Sequence, residues 1–355
     1  MGKKKKRFII VSSSVVLSFC LLYFLGGYLA AIIVCNALFG KRQSNVSQSE
    51  TFETVLYYDH DDYPSLSNPL MVKFSSGQNQ LQGYFYEAKE AKGTFLFAHG
   101  LKGYADDETS MVQDAILKRG YSLFSFDLTS SGRSEGEGIS SLAQGAHDVR
   151  SALDYLFAET EFYCPLGSLY LSGYSWGAYA VAASLNYSYP SPVKGVLCFS
   201  GFDTPMGEMV AMAHNYVSYL AEFNSPTLDW GMASRAGEDR YLSASKGIAE
   251  SGARAYIVQG DEDSTVPLSA SLYEAIGESK NVKKVLRKGF DHTRPYLCAS
   301  SEEESKALRE RYQSQSLQGF KDSLSKEERG KANRIDDELM DEAFSFLEGS
   351  SKEVF

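Results

Sequence analysis

Between Phe8 and Gly40 the chain contains no Asp, Glu, Lys or Arg. At 1.5 Å per residue such a run is about 50 Å long as a helix, against roughly 30 Å of bilayer hydrocarbon, so it can cross with tilt or a frayed end. Its length weighs against a buried core helix. Cysteine is also sparse. Cys20 and Cys35 lie inside the charge-free run, and Cys164, Cys198 and Cys298 show no C-x-x-C spacing, which leaves neither a disulfide framework nor a zinc site. No internal repeat is visible. Acids are missing from residues 1–42, where seven basic residues stand against a total of −10, so residues 43–355 carry −17. A domain with that balance gains nothing from nucleic acid or from an anionic membrane surface, and a solvated acidic surface accounts for it. Disorder on a large scale is excluded by a hydrophobic content of 43% with 13% aromatics.

What is present begins with Lys3 to Arg7, five consecutive basic residues. Only Lys41 and Arg42 closely follow the run, and the asymmetry favours an internal N-terminus with the remainder outside. The competing reading is a cleaved signal peptide, because Cys35-Asn36-Ala37 loosely resembles a small-x-small cleavage site. The apolar stretch exceeds the usual 7–15 residues of such peptides, which favours an uncleaved signal anchor. Val34 before Cys35 and Lys6 in the Ser/Thr position speak against lipidation, and a hairpin at Gly26-Gly27 would leave arms too short to span. The expected organisation is a basic cytoplasmic tail at 1–7, a transmembrane signal anchor at 8–40, a polar linker at 41–52 and a catalytic domain at 53–355. The sequons Asn45-Val-Ser47 and Asn186-Tyr-Ser188 matter only in a glycosylating pathway.

Beyond residue 52, strand-like and helix-like runs alternate, which predicts a mostly parallel α/β sheet covered on both faces. Strands are expected at 70–75, 81–86, 94–98, 121–126, 168–171, 193–199, 254–258 and 282–286, the first two as an antiparallel edge hairpin. Helices are expected at 108–119, 146–158, 176–187 and 268–276. Two insertions interrupt the alternation. Residues 203–252 carry Met206, Met209, Val210, Ala213, Val217 and Leu220 at helical spacing, read as a lid, with a helix packed on the main core as the alternative. Residues 301–335 are dense in charge and read as a solvated helical excursion. The last helix has Leu339, Met340, Ala343, Phe344 and Leu347 on one face, and Asp336, Asp337 and Glu338 at the positive end of its dipole.

Two G-x-S-x-G pentapeptides occur, around Ser175 and around Ser134. Only Ser175 has an apolar strand directly before it and a helix-like run directly after it, the setting that holds a serine hydroxyl on a sharp turn above a sheet. Ser134 sits in a polar, glycine-dense segment and reads as a loop. A serine is a weak nucleophile at neutral pH; it needs a base within hydrogen-bond reach and a carboxylate to orient that base. Acids follow the strand that ends at Gly260, and His292 follows the last strand. His99, His60, His147 and His214 read as structural.

The chain order Ser175, Asp263, His292 resembles that of the α/β-hydrolase superfamily. Phe97-Ala-His99-Gly100-Leu101-Lys-Gly103 is similar to its H-G-x-x-G loop. Asp127 to Gly136 resembles its D-x-x-G-x-G-x-S-x-G loop, with Ser130 where glycine is usual. Gly260 to Pro267 is similar to G-x-x-D-x-x-V-P, which selects Asp263 over Asp261. The likeness spans about residues 70–350 and runs closest to membrane-anchored bacterial members of the serine aminopeptidase and monoacylglycerol-lipase-like branch. It implies a Ser175, His292, Asp263 triad, with an oxyanion hole from the backbone N–H groups of Leu101 and Trp176. The activity implied is cleavage of an ester or amide in an acyl substrate, small or lipid-like, with no metal or organic cofactor. A peptidase, an acyltransferase on the same triad, or a non-catalytic binding module on the fold are the alternatives.

Overall fold

The computed structural model describes residues 3–45, 52–57, 62–105, 109–159, 168–218 and 220–350. His60, Cys164 and residues 46–51, half of the expected linker, lie outside them.

The chain opens with helix α1 (Lys3–Phe39), followed by the short α2 (Phe52–Tyr57). The sheet then builds from β1 (Leu70–Ser76), β2 (Asn79–Tyr86), β3 (Thr94–Ala98), β4 (Ser122–Phe126), β5 (Leu169–Tyr174), β6 (Gly195–Phe199), β7 (Arg254–Gly260) and β8 (Val282–Arg287). Their spatial order is β1-β2-β4-β3-β5-β6-β7-β8. β1 and β2 form the expected antiparallel edge hairpin, β2 meets β4 antiparallel, and every later pairing is parallel. Between strands lie α3 (Ser110–Lys118), α4 (Gln144–Ala158) and α5 (Trp176–Ser184). Alternation along the strands sends Leu96, Leu171, Val196 and Ile257 to one core and Phe95, Phe97, Leu197 and Tyr256 to the other. Burial on both faces is why these strands read as continuous apolar runs.

Residues 203–252 fold as α6 (Pro205–Val217), α7 (Leu220–Ala236), a 3-10 turn at Gly237–Tyr241 and α8 (Ala244–Ser251). The periodic stripe read from Met206 to Leu220 is therefore two helices: Ser218 takes φ 50, which no α-helix continues, and Leu220 opens α7. Residues 268–276, expected as one helix, break into a 3-10 turn (Leu268–Ala270) and α9 (Leu272–Ala275), because Ser271 is extended and caps the second piece through Glu274 N. The charged segment forms α10 (Ala299–Gln313), α11 (Leu317–Ser323) and α12 (Lys326–Ala332). One side of this group is not solvated: Leu308, Phe320 and Ala332 bury Phe52 and Leu56 of α2.

The part of α1 from Val16 to Phe39 is long and apolar enough to cross a membrane, and Val16, Leu17, Phe19, Leu21 and Leu22 are exposed. Its last third is different. Ala31, Cys35 and Phe39 are buried in the main core, and α1 runs parallel to α7. Gly27 meets Thr227, Tyr28 stacks on Trp230, Cys35 touches Met232 and Asn36 receives Arg235. A Cβ on Gly231 would stand 2.7 Å from that of Ala31, so the two backbones approach over small residues spaced by four. The chain after α1 is also held: Gln43 N donates to Ser130 O at 2.8 Å, and Arg42 donates to the carbonyls of Gly132 and Ser134.

The closing helix α13 (Asp337–Glu348) covers the second core. Asp336 caps it by accepting from Leu339 N at 3.0 Å and pairs with Arg287 at 2.6 Å. Replacing Asp336 with Ala should cost about 1–2 kcal/mol, and Asp336→Asn, which keeps the cap and loses the ion pair, should fall between it and the parent. Thermal unfolding of the three proteins in one detergent reads the ranking.

Candidate active site

Ser175 stands between β5 and α5 with φ 55 and ψ −120, a conformation costly for any residue with a side chain. The turn is tight because of Gly177, where a Cβ would lie 2.0 Å from the carbonyl oxygen of Ala98 on β3. Ser175 N donates to Phe199 O on β6 at 2.8 Å, which ties the turn to the neighbouring strand. The hydroxyl projects beyond the carboxyl ends of the parallel strands.

Two other strand ends supply the partners. Ser175 Oγ lies 2.9 Å from His292 Nε2, and His292 Nδ1 lies 2.8 Å from Asp263 Oδ2. Asp263 is buried after β7 and fully engaged: Oδ1 accepts from Thr265 N and Val266 N, and Oδ2 also accepts from Gln259 Nε2 at 2.8 Å. With both its oxygens accepting, Asp263 takes the Nδ1 proton of His292 as a hydrogen bond and leaves Nε2 to accept from Ser175. The His292 loop is pinned through its own carbonyl, which accepts from Tyr174 Oη at 3.1 Å and Ser200 Oγ at 3.3 Å. Asp261 is exposed and faces away, accepting from Gly289 N at 2.7 Å.

Leu101 lies in the turn after β3, closed by Gly103 N donating to Gly100 O at 3.1 Å. Trp176 is the first residue of α5, so its N–H has no intrahelical acceptor. Its indole donates to Leu142 O at 2.6 Å. His99 is fully buried, its Nδ1 2.7 Å from Gly100 O and its Nε2 accepting from Leu128 N; burial pushes its pKa below the ordinary value, so it holds the loop as a neutral ring. His147 sits between Asp239 and Tyr187, and His214 against Glu222, both away from Ser175. Ser134 is a buried brace: it donates to Asp127 O and accepts from Gln82 N at 2.8 Å.

Two residues near this site escaped the sequence reading. Gln259 is the penultimate residue of β7 and aims its amide at Asp263, a contact that an apolar strand pattern does not register. Glu208 on α6 is buried, and its Oε2 has no hydrogen-bond partner among the described residues. Burial, reinforced by the charge of Asp263, pushes its pKa up to about 8. The signal available was a lone acid within an apolar helical stripe.

An eight-stranded, mostly parallel sheet, with a serine on a strand-to-helix turn and its partners on two later loops, defines the α/β-hydrolase fold. Residues 89–237 match the family model described as serine aminopeptidase, S33. In solved structures the chain is similar to the Pyrococcus furiosus esterase Pf2001. In one crystal form the two are 15% identical with a TM-score of 0.52, over 77% of this chain and 98% of that one. A second form gives 16% identity and a TM-score of 0.51, over 72% and 95%. At such identity the likeness concerns the fold. The comparison with curated proteins returns no match.

Glu208 gives the site a pH dependence of known sign. The folded protein keeps a proton that the unfolded chain releases near its ordinary value of 4.5, so this contribution is complete below that pH and is lost as pH rises through about 8. Glu208→Gln should therefore unfold at a higher temperature than the parent by a margin that widens from pH 5 to pH 9. A margin that stays flat across a pH series of melting curves would contradict the buried, protonated carboxyl.

Proposed function

We propose that the protein is a membrane-tethered serine hydrolase that cleaves an ester, or an amide, of an acyl substrate. The observation that carries this reading is the unbroken chain from Ser175 Oγ through His292 to Asp263. Ser175 attacks the carbonyl carbon as its proton passes to His292 Nε2, and Asp263 stabilises the imidazolium. The histidine returns the proton to the leaving group. Water, deprotonated by the same nitrogen, then releases the acyl group and restores Ser175. The N–H groups of Leu101 and Trp176 are the oxyanion donors of this reading, such donors being worth roughly 2.7–4 kcal/mol each in the transition state. None of these steps calls on a cofactor.

Residues 53–355 form the hydrolase domain in this reading, with 203–252 as a lid: the segment leaves β6 at the carboxyl end of the parallel strands, the end beyond which Ser175, Asp263 and His292 lie, and α6 brings Glu208 close enough to Asp263 to feel its charge. Residues 8–40 act as an uncleaved anchor. Cleavage after Ala37 would remove Ala31 and Cys35, which belong to the main core, and Asn36, which receives Arg235. A signal peptide has no such place in the mature fold.

Ser175→Ala should abolish labelling by a fluorophosphonate probe, while Ser134→Ala should still be labelled. Asp263→Asn should lower kcat by a factor on the order of 10⁴ through the wrong histidine tautomer, with a far smaller effect from Asp261→Asn. Labelling that survives the Ser175 change refutes the reading.

The basic residues Lys3 to Arg7 should keep the N-terminus in the cytoplasm and the hydrolase domain outside. Protease added to spheroplasts should then digest the domain, and the membrane-bound protein should have the mass of the full chain beforehand. A protected domain reverses the orientation, and a shortened soluble protein restores the signal-peptide reading.

A further inference from the structure

Between α1 and the helices α6 and α7 lies a cleft of about 550 Å³, within the range of roughly 300–1,000 Å³ typical of small-molecule sites. Ala30, Val34 and Leu38 of α1 form one wall, and Met209, Met212 and Leu228 form the other. Among the described residues no charged side chain lines it; Asn224 and Thr227 are the polar ones. We propose that this cleft receives the acyl chain of a lipid drawn from the surrounding bilayer, with the anchor helix itself as one wall of the substrate site. The proposal rests on the anchored serine-hydrolase reading and deepens it by naming the substrate class.

Three observations carry it. The first is continuity with the nucleophile. Met209 belongs to the same buried cluster as Trp176, the neighbour of Ser175, and Leu38, Met212 and Leu101 pack against that cluster. Apolar packing thus links the walls of the cleft to the residues beside the reacting hydroxyl. At the end of α1, Ser44 Oγ donates to Gly103 O in the loop that begins at Leu101.

The second is continuity with the bilayer. A span needs about 20 residues, so a helix whose charge-free part starts at Phe8 can complete its crossing near Tyr28 and run on beside α7. Tyr23 packs on Phe223 with its hydroxyl donating to Asn224 Oδ1 at 2.6 Å, and Tyr28 packs on Trp230 with ring centroids 4.3 Å apart. Phe223 and Trp230 are 66% and 54% exposed. Tyr and Trp, with one wet end and one apolar face, collect at the membrane–water boundary, and Tyr23, Tyr28 and Trp230 mark its level at the mouth of the cleft.

The third is the chemistry of the lining. A peptide laid in the cleft would bring backbone N–H and C=O groups to walls that offer almost no partner, at a cost for each group left unpaired. An acyl chain brings none.

The test uses the full-length protein in phosphatidylcholine vesicles, with p-nitrophenyl butyrate and p-nitrophenyl palmitate as substrates. Ala30→Trp and Val34→Trp fill the cleft and should lower the palmitate-to-butyrate ratio of kcat/KM at least tenfold. Ile33→Trp, on the exposed side of α1, should leave that ratio unchanged. For the unmodified protein, phosphatidylcholine bearing a diazirine on its acyl chain should cross-link to the peptide containing Met209 and Met212. An unchanged ratio in both cleft variants, or cross-links confined to the Phe19–Leu22 face with none on α6, overturns the proposal. The cross-linking result decides if the tryptophan variants do not fold. Failure of the hydrolase reading shows differently, as the absence of fluorophosphonate labelling and of turnover of either ester.

Discussion

The end of β5 can turn into α5 in the space available because Gly177 brings no side chain to the carbonyl of Ala98. That contact sets how closely the helix approaches β3, and with it the unusual backbone of Ser175. Everything else around the site is arranged to meet a hydroxyl presented in this way. β6 receives its N–H, β7 ends where a carboxylate can be held by two backbone amides, and the loop after β8 is pinned by Tyr174 and Ser200 so that one histidine reaches both. Such strain is tolerable because the sheet on which it rests is buried on both faces.

Buried charge is distributed unevenly around this centre. Asp263 is satisfied at both oxygens, whereas Glu208 has an oxygen with no partner among the described residues and holds its proton instead. The two carboxyl groups stand close enough for the charge of Asp263 to add to the effect of burial in raising the pKa of Glu208. Asp148 shows a third solution, its carboxylate shared among Ser76, Thr129 and Gln144 behind the Ser134 loop. Only the first faces a histidine.

Most of the sheet could be read from the sequence because two-sided burial makes each strand a continuous apolar run between turn residues. Ser175 could be separated from Ser134 on the same ground, and Asp263 from Asp261 by the spacing to Val266 and Pro267. What escaped depended on contacts between distant segments. A charge-free run is the signature of a span, and nothing local in Gly27 to Phe39 says that this stretch also packs on a helix 200 residues later. Small residues spaced by four at Gly27 and Ala31, and again at Thr227 and Gly231, acquire meaning only when the two segments are set side by side. Glu208 is hidden for a similar reason: its neighbours define the stripe, and nothing local says that its carboxyl is buried near Asp263. The break at Ser218 lies in backbone geometry that a periodic pattern does not register.

The parallel packing of α1 on α7 makes the direction of α1 and the attitude of α6 and α7 a single mechanical variable. A helix longer than its bilayer relieves the mismatch by leaning, and the lean changes with hydrocarbon thickness. In an independent tether that motion would be absorbed by the linker. Here Gly231 lies against Ala31, and Arg42 grips the loop that holds Ser134, so with α1 as the anchor proposed above a change in its lean would carry α7 and that loop with it. On the anchored reading, the lipid would act on the domain mechanically as well as surround its anchor.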